Sequence, residues 1–279
     1  MNAREFQEQL RQTGEYRTGR VEAGLPTRLL TRTDFGYYLR LIAMVFRSYV
    51  NARRGCYDRE AWAATSWRTA QIAEAAGGRV EITGFDHVVR VGGPAVIVGN
   101  HMSMLETFLL PCILLAAGPV VFVVKRSLVN YPLFGRILRT VGCVQVGRDN
   151  PRDDFETVMR DGEAMLREGR SVVVFPQATR GKQVVPETFN SIGVKLARRA
   201  GVPVIPLALK TDFQGLGRRI RDFGPLDRAQ PIRFGFGPAL DSNGNPKAVH
   251  EACVRFIYET VSGWQQAQGA DGGRQTCPT

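Results

Sequence analysis

Several absences narrow the reading before any motif is considered. The 279 residues hold three histidines and five cysteines (Cys56, Cys112, Cys143, Cys253, Cys277), which are scattered, odd in number and never spaced C-x-x-C. That usage argues against a disulfide framework and a zinc site, and it fits a reducing, cytosol-facing environment. No stretch approaches the roughly 18 uninterrupted apolar residues expected of a membrane-spanning helix. The polar, mixed-charge start MNAREFQEQLRQTGEYRTGR does not read as a secretory signal. Neither familiar Gly-rich phosphate loop occurs, nor a Gly-x-Ser-x-Gly nucleophile elbow. Acidic residues are in deficit, 26 against 37 Lys and Arg for a formal net charge of +11. Such an excess favours anionic partners, either an acidic lipid surface or phosphorylated small molecules. No recognised nucleic-acid module accompanies it, so nucleic acid is not an expected partner.

The deficit is uneven. No Asp or Glu occurs from Thr107 through Arg148, where five basic residues do, and none occurs from Thr188 through Thr211. The hydrophobic content of 44% is enough for a sizeable core. Residues 1–33 read as a flexible N-terminal segment with alternating charges and a Gly24-Leu25-Pro26 break. Residues 34–78 read as an amphipathic helical element. In DFGYYLRLIAMVFRSYVNARR, Arg40, Arg47, Asn51 and Arg54 recur at intervals of seven, four and three, forming one polar stripe. Tyr38, Leu41, Ile42, Val45, Phe46 and Tyr49 occupy the rest. Such a helix suits a membrane interface, with its arginines at phosphate headgroups, or a seat on the domain with its arginines in water. A second helix over 59–76, carrying Trp62 and Trp67, is a candidate to share the bilayer contact.

From residue 79 to 266 short β-branched runs alternate with helical stretches. AVIVG, VVFVV, CVQVG, SVVVF, VIPLALK and IRFGFG read as strands. This rhythm predicts an α/β domain with a mixed, largely parallel central sheet flanked by helices. Residues 267–279 read as a disordered tail.

Chemistry concentrates in VIVGNHMSMLET, residues 96–107. Five residues of ideal helix would leave His101 and Glu106 about 140° apart, so they do not meet mid-helix. They meet if His101 sits on the strand-to-helix loop and Glu106 in the first turn. The S-x-x-E pattern supports that placement, with Ser103 as N-cap and Glu106 at N3. Glu106 would then hold one imidazole nitrogen while the other takes a proton from a hydroxyl. The alternative is a helix cap beside an ordinary loop histidine.

NHMSMLE resembles the first motif of the glycerophospholipid acyltransferase family of the lysophosphatidic acid (1-acylglycerol-3-phosphate) type, Asn-His-x4-Asp. Three further motifs follow in the family's order: GCVQVGR at 142–148, FPQATR at 175–180 and VPVIPLAL at 202–209. Between the first two, KRSLVNYPLFGRILRTVG (125–142) resembles the family's basic segment with its Pro-x-Phe-Gly core. The likeness covers about residues 80–240. It implies acyl transfer from acyl-CoA or acyl-carrier protein to the hydroxyl of a lysophospholipid or related lysolipid in membrane lipid biosynthesis. It also implies a peripheral or monotopic location on the cytoplasmic face of the membrane. His101 and Glu106 take the catalytic roles; Arg180, Thr179, Gln177, Lys125 and Arg148 become the substrate-binding candidates. The donor is a substrate, and no cofactor or metal is expected.

Two departures stand out. Glu106 replaces the family's Asp, and Gln177-Ala178 replaces its Glu-Gly beside Arg180. The second falls where the family handles its acceptor phosphate. An acceptor without that phosphate, such as an amino-acid lysolipid, is one alternative, and a catalytically silent membrane-binding homologue is another.

Overall fold

The computed structural model describes residues 1–19, 33–177 and 179–272, with side chains to residue 268. Eight strands form one sheet: β1 (Tyr16–Arg17), β2 (Val80–Thr83), β3 (Val96–Gly99), β4 (Val120–Lys125), β5 (Cys143–Val146), β6 (Ser171–Val174), β7 (Val204–Lys210) and β8 (Ile232–Phe236). Their order is β1-β2-β8-β7-β3-β6-β4-β5. The β1–β2 and β7–β8 pairs are antiparallel, and the other five pairings are parallel.

Both faces are covered, and residue alternation shows it. Ile97, Val173, Ile205 and Leu207 point into one core. Val96, Val98, Val172, Val174 and Val204 point into the other. Period-two alternation of apolar residues on both faces is what a sheet sandwiched between helices requires. The first core is closed by α1 (Ala3–Thr13), α2 (Asp34–Arg53), α3 (Arg59–Ala75), α4 (Asp86–Val91) and α5 (Leu105–Leu114). Helices α6 (Arg126–Val129) and α7 (Phe134–Val141) follow β4. A long segment then runs as α8 (Pro151–Thr157), a π turn (Val158–Gly162) and α9 (Glu163–Arg167). Together with α10 (Ile192–Ala200) and α11 (Pro246–Gly272) it closes the second core.

Three boundaries differ from expectation. The N-terminal segment is not loose over its first 19 residues. Asn2 caps α1 in a reciprocal box with Glu5, and Gly14 ends the helix at φ 69°. Phe6 and Leu10, four residues apart, bury one face. The Gly24-Leu25-Pro26 break lies outside the described residues. The C-terminal helix runs on to Gly272 rather than stopping near 266, and residues 273–279 lie outside the described residues.

Helix α3 is the third difference. Only one of its two tryptophans is left partly exposed, since Trp62 is half-buried and Trp67 turns inward. Trp67 is buried, stacked on Phe6 at 4.3 Å between ring centroids, and its indole N–H donates to the Met1 carbonyl at 3.1 Å. Ser66 Oγ ties the same helix to α5 through the Phe108 carbonyl at 2.6 Å. Helix α2 divides more sharply than its sequence suggested. Tyr37, Leu41, Met44, Ser48 and Ala52 face the body, whereas Phe35, Leu39, Ile42 and Phe46 are each at least half exposed. Leu41 thus belongs to the core. No helix among the described residues is long and apolar enough to cross a membrane.

Candidate active site

Strands β3, β6, β4 and β5 run parallel, so their carboxyl ends share one edge. Loops leaving such an edge are where an α/β sheet places ligands. His101 leaves β3 there. Asn100 anchors the loop to β7, its Nδ2 donating to the Leu209 carbonyl and its Oδ1 accepting from the Leu209 N–H, each at 2.8 Å.

Glu106 is fully buried, with its Oε1 2.7 Å from His101 Nδ1. The same oxygen accepts the Met102 N–H at 2.7 Å. Oε2 accepts the Ser103 N–H at 3.0 Å and the Ser103 and Thr211 hydroxyls. An ionised carboxylate is acceptor-only, so its imidazole partner must donate from Nδ1, which leaves Nε2 with a lone pair. The ring lies flat on Phe175, 4.6 Å between centroids, and the side chain keeps 17% exposure. These contacts fix the ring's orientation, and an ionised Glu106 would favour the Nδ1-protonated tautomer, the arrangement the aspartate imposes in a serine-hydrolase triad.

The cap differs in detail from the S-x-x-E expectation. Helix α5 starts at Leu105, with Met104 as its N-cap. Ser103 Oγ still accepts the Leu105 N–H at 3.1 Å while Glu106 reaches back to Ser103. The helix thus starts one residue late, and Glu106 still reaches the ring.

The FPQATR loop grips the His101 peptide from both sides. Gln177 Oε1 accepts the His101 N–H at 2.7 Å, and the Gly181 N–H donates to the His101 carbonyl at 3.0 Å. Gln177 is itself buried, and its oxygen holds the histidine backbone. This gives the Glu-to-Gln departure a benign account, since an amide oxygen accepts one N–H as a carboxylate does. Thr179 and Arg180 lie between the two anchors, Thr179 exposed and Arg180 partly so.

Arg180 is already engaged. Its Nη1 donates to Asp222 Oδ1 at 2.6 Å, with the side chains 22% and 41% exposed. Asp222 belongs to the β7–β8 loop, whose other anchors are Gln214 Nε2 to the Asp222 carbonyl at 2.8 Å and Tyr38 of α2 to the Gly224 carbonyl at 2.5 Å. Burial, above all, pushes the Tyr38 hydroxyl up to about 12, so it stays a protonated donor.

The remaining candidates lie farther along the edge. Lys125 ends β4 and is exposed; two strand spacings put it roughly 10 Å from the β3 line. Arg148 follows β5, three spacings or roughly 14 Å away. It takes φ 68°, and its N–H is held by Asp154 at 2.9 Å. In the 188–211 acid-free stretch, two of the four cations are paired with carboxylates from outside it. Lys210 is buried against Asp212 at 2.7 Å, and Arg199 pairs with Glu163 at 2.7 Å. Asn100, Thr211, Phe175 and Asp222 escaped the sequence reading. The Asn-His and Phe-Pro motifs pointed at two of them; nothing local pointed at Thr211 or Asp222.

Residues 79–210 match the family model for acyltransferases. A 1-acyl-sn-glycerol-3-phosphate acyltransferase from Pseudomonas aeruginosa is 30% identical over 200 residues, 70% of this chain and 73% of the relative. A lysophospholipid acyltransferase from Arabidopsis thaliana is 33% identical over 127 residues, 43% of this chain and 30% of its own. In fold, the chain is similar to the crystal structure of the 1-acyl-sn-glycerophosphate acyltransferase from Thermotoga maritima. That match has a TM-score of 0.61 and 18% identity, and covers 86% of this chain and 96% of that one. With the ordered motifs converging on one sheet edge, the chain belongs to the acyltransferase family and is an O-acyltransferase of the 1-acylglycerol-3-phosphate type.

Proposed function

We propose that the chain moves a fatty acyl group from acyl-CoA or acyl-carrier protein to the hydroxyl of a lysophospholipid, at the cytoplasmic face of the membrane. The observation that carries this reading is the 2.7 Å contact between His101 Nδ1 and a buried carboxylate. Nε2 takes the proton of the acceptor hydroxyl as its oxygen attacks the thioester carbonyl. Collapse of the tetrahedral intermediate breaks the carbon–sulfur bond, and the departing thiolate recovers the proton from the imidazolium. Glu106 stays ionised and stabilises that imidazolium. No protein nucleophile or cofactor is required. The exposed face of α2 supports the membrane reading: Phe35, Leu39, Ile42 and Phe46 recur at helical spacing and are each at least half exposed.

A phosphate on the acceptor would exchange places with Asp222 on Arg180, whose guanidinium can clamp two phosphate oxygens. The Arg180–Asp222 pair also favours a second reading. With Asp222 in place the site offers a cation and an anion side by side, which suits an acceptor carrying an ammonium group, such as an amino-acid lysolipid. The test is mass spectrometry of products from a mixed lysolipid pool supplied with acyl-CoA. The expected result is a new ester on the preferred acceptor, absent for His101→Ala. Normal ester formation by that variant would remove the histidine from the chemistry.

A further inference from the structure

The molecule has a second cluster of cations, apart from Arg180 and its Asp222 partner. A cleft of about 360 Å³ opens between α2 and the α6–α7 turn, lined by Arg53, Arg136, Arg139, Tyr49, Tyr131 and Asn130. None of the three arginines has a carboxylate within ion-pair distance among the described residues. The local sequence explains why: residues 35–57 and 107–148, which supply the cleft, contain no Asp or Glu. Three guanidiniums facing one space, with no counter-charge, repel one another and attract an anion.

The cleft is also built rather than incidental. Leu133 sits at φ 64° and ψ −63°, and the Phe134 N–H closes on the Pro132 carbonyl at 2.7 Å, a strained γ-turn. Gly135 permits this fold-back, because a Cβ there would lie 2.1 Å from the Val129 carbonyl oxygen. Arg139 donates to that same carbonyl, so one of the three cations is tied to the turn. Arg136 and Arg139, three residues apart on α7, share a face. Ala52, Tyr57 and Ile137 pack beneath, locking α2 to α7.

We propose that this cleft binds the phosphate of an anionic phospholipid headgroup, one with no choline-type cation to neutralise it, as a docking site distinct from the His101–Arg180 residues. A phosphate could equally come from a soluble nucleotide; the neighbouring surface favours lipid. Along α2, Phe35, Leu39, Ile42, Phe46, Tyr49 and Arg53 recur at spacings of four, three, four, three and four, a single stripe on one helix face. Its apolar part runs straight into the cleft, with Arg53 about 10 Å beyond Phe46 at the helical rise per residue. Acyl chains against the stripe and a phosphate at its end match a phospholipid. The inference rests on the membrane-facing reading of α2.

The test is flotation of the full chain, carrying His101→Ala to prevent turnover, with phosphatidylcholine vesicles and with vesicles containing phosphatidylglycerol. The protein is expected to prefer the anionic vesicles. Arg53→Gln and Arg136→Gln should each lower that preference by about five-fold, leaving phosphatidylcholine binding and the thermal melting temperature unchanged. Arg47→Gln and Arg54→Gln remove the same charge from the same helix region outside the cleft and should lower it clearly less. Equal losses in all four variants would show diffuse attraction and overturn the site. Protection of the cleft arginines by adenosine 3′,5′-bisphosphate or inorganic phosphate, without vesicle preference, would overturn the lipid assignment. Failure of the protein to float with either vesicle would defeat the membrane reading of α2 and this inference with it, while leaving the acyl-transfer reading untouched.

Discussion

The two ends of the proposed reaction are built differently. At the base, the groups that hold the ring are buried and hydrogen-bonded: Glu106 takes backbone N–H groups from Met102 and Ser103, and backbone-anchored Gln177 and Asn100 hold the loop. At the acceptor side, Arg180 and Asp222 form one partly exposed pair between two loops, and α2 shows bare apolar side chains. Geometry that must hold to a fraction of an ångström is carried by main chain and burial. Recognition of headgroup and membrane is left to side chains at the surface, where one substitution changes preference without disturbing the fold.

The contrast orders the expected effects. His101→Ala should reduce kcat by about 10³ to 10⁴-fold, the upper range for losing a general base. Glu106→Gln should cost about 10³-fold, because an amide can donate to Nδ1 and impose the wrong tautomer. It should also lower the melting temperature, since buried donors lose a charged acceptor. Both are read from thiol release with acyl-CoA and a lysolipid, alongside a thermal melt.

Arg180→Ala should lower kcat/KM for 1-acylglycerol-3-phosphate by roughly 10 to 100-fold through lost charged hydrogen bonds, with no change in melting temperature. Asp222→Asn sharpens the choice of acceptor. It should raise kcat/KM a few-fold if the headgroup is a phosphate, and lower it if the headgroup carries an ammonium group; no effect on either would show that Asp222 has no part in selection. Phe46→Ser should weaken vesicle binding by about tenfold, the scale of one aromatic side chain returned to water, while turnover of a dispersed short-chain lysolipid stays constant. Unchanged flotation would take α2 away from the bilayer.

Local pattern made much of this legible. The β-branched runs became strands at nearly the boundaries they suggested, and the His101–Glu106 pairing followed from where a helix must begin. Contacts across long sequence distances did not show. Thr211 reaches Glu106 across 105 residues, and Asp222 reaches Arg180 across 42; only the parallel pairing of β3 with β7 and the course of the β7–β8 loop bring them in. Helix α3 exposes the limit of amphipathic patterns, which show that a face is apolar but not what covers it. Phe6, 61 residues upstream, covers Trp67. For α1 the signal was local and overlooked: Asn2 with Glu5 as a capping box, then Phe6 and Leu10 on one face.

The central claim is that a buried carboxylate fixes the imidazole with Nδ1 protonated and Nε2 free to accept. ¹⁵N chemical shifts of the His101 ring at neutral pH read this directly, with Glu106→Gln as the comparison. The account predicts a protonated Nδ1 and a bare Nε2 in the unmodified chain, with that preference lost in the variant. A ring protonated at Nε2 in the unmodified chain, or one indifferent to Glu106→Gln, would contradict it.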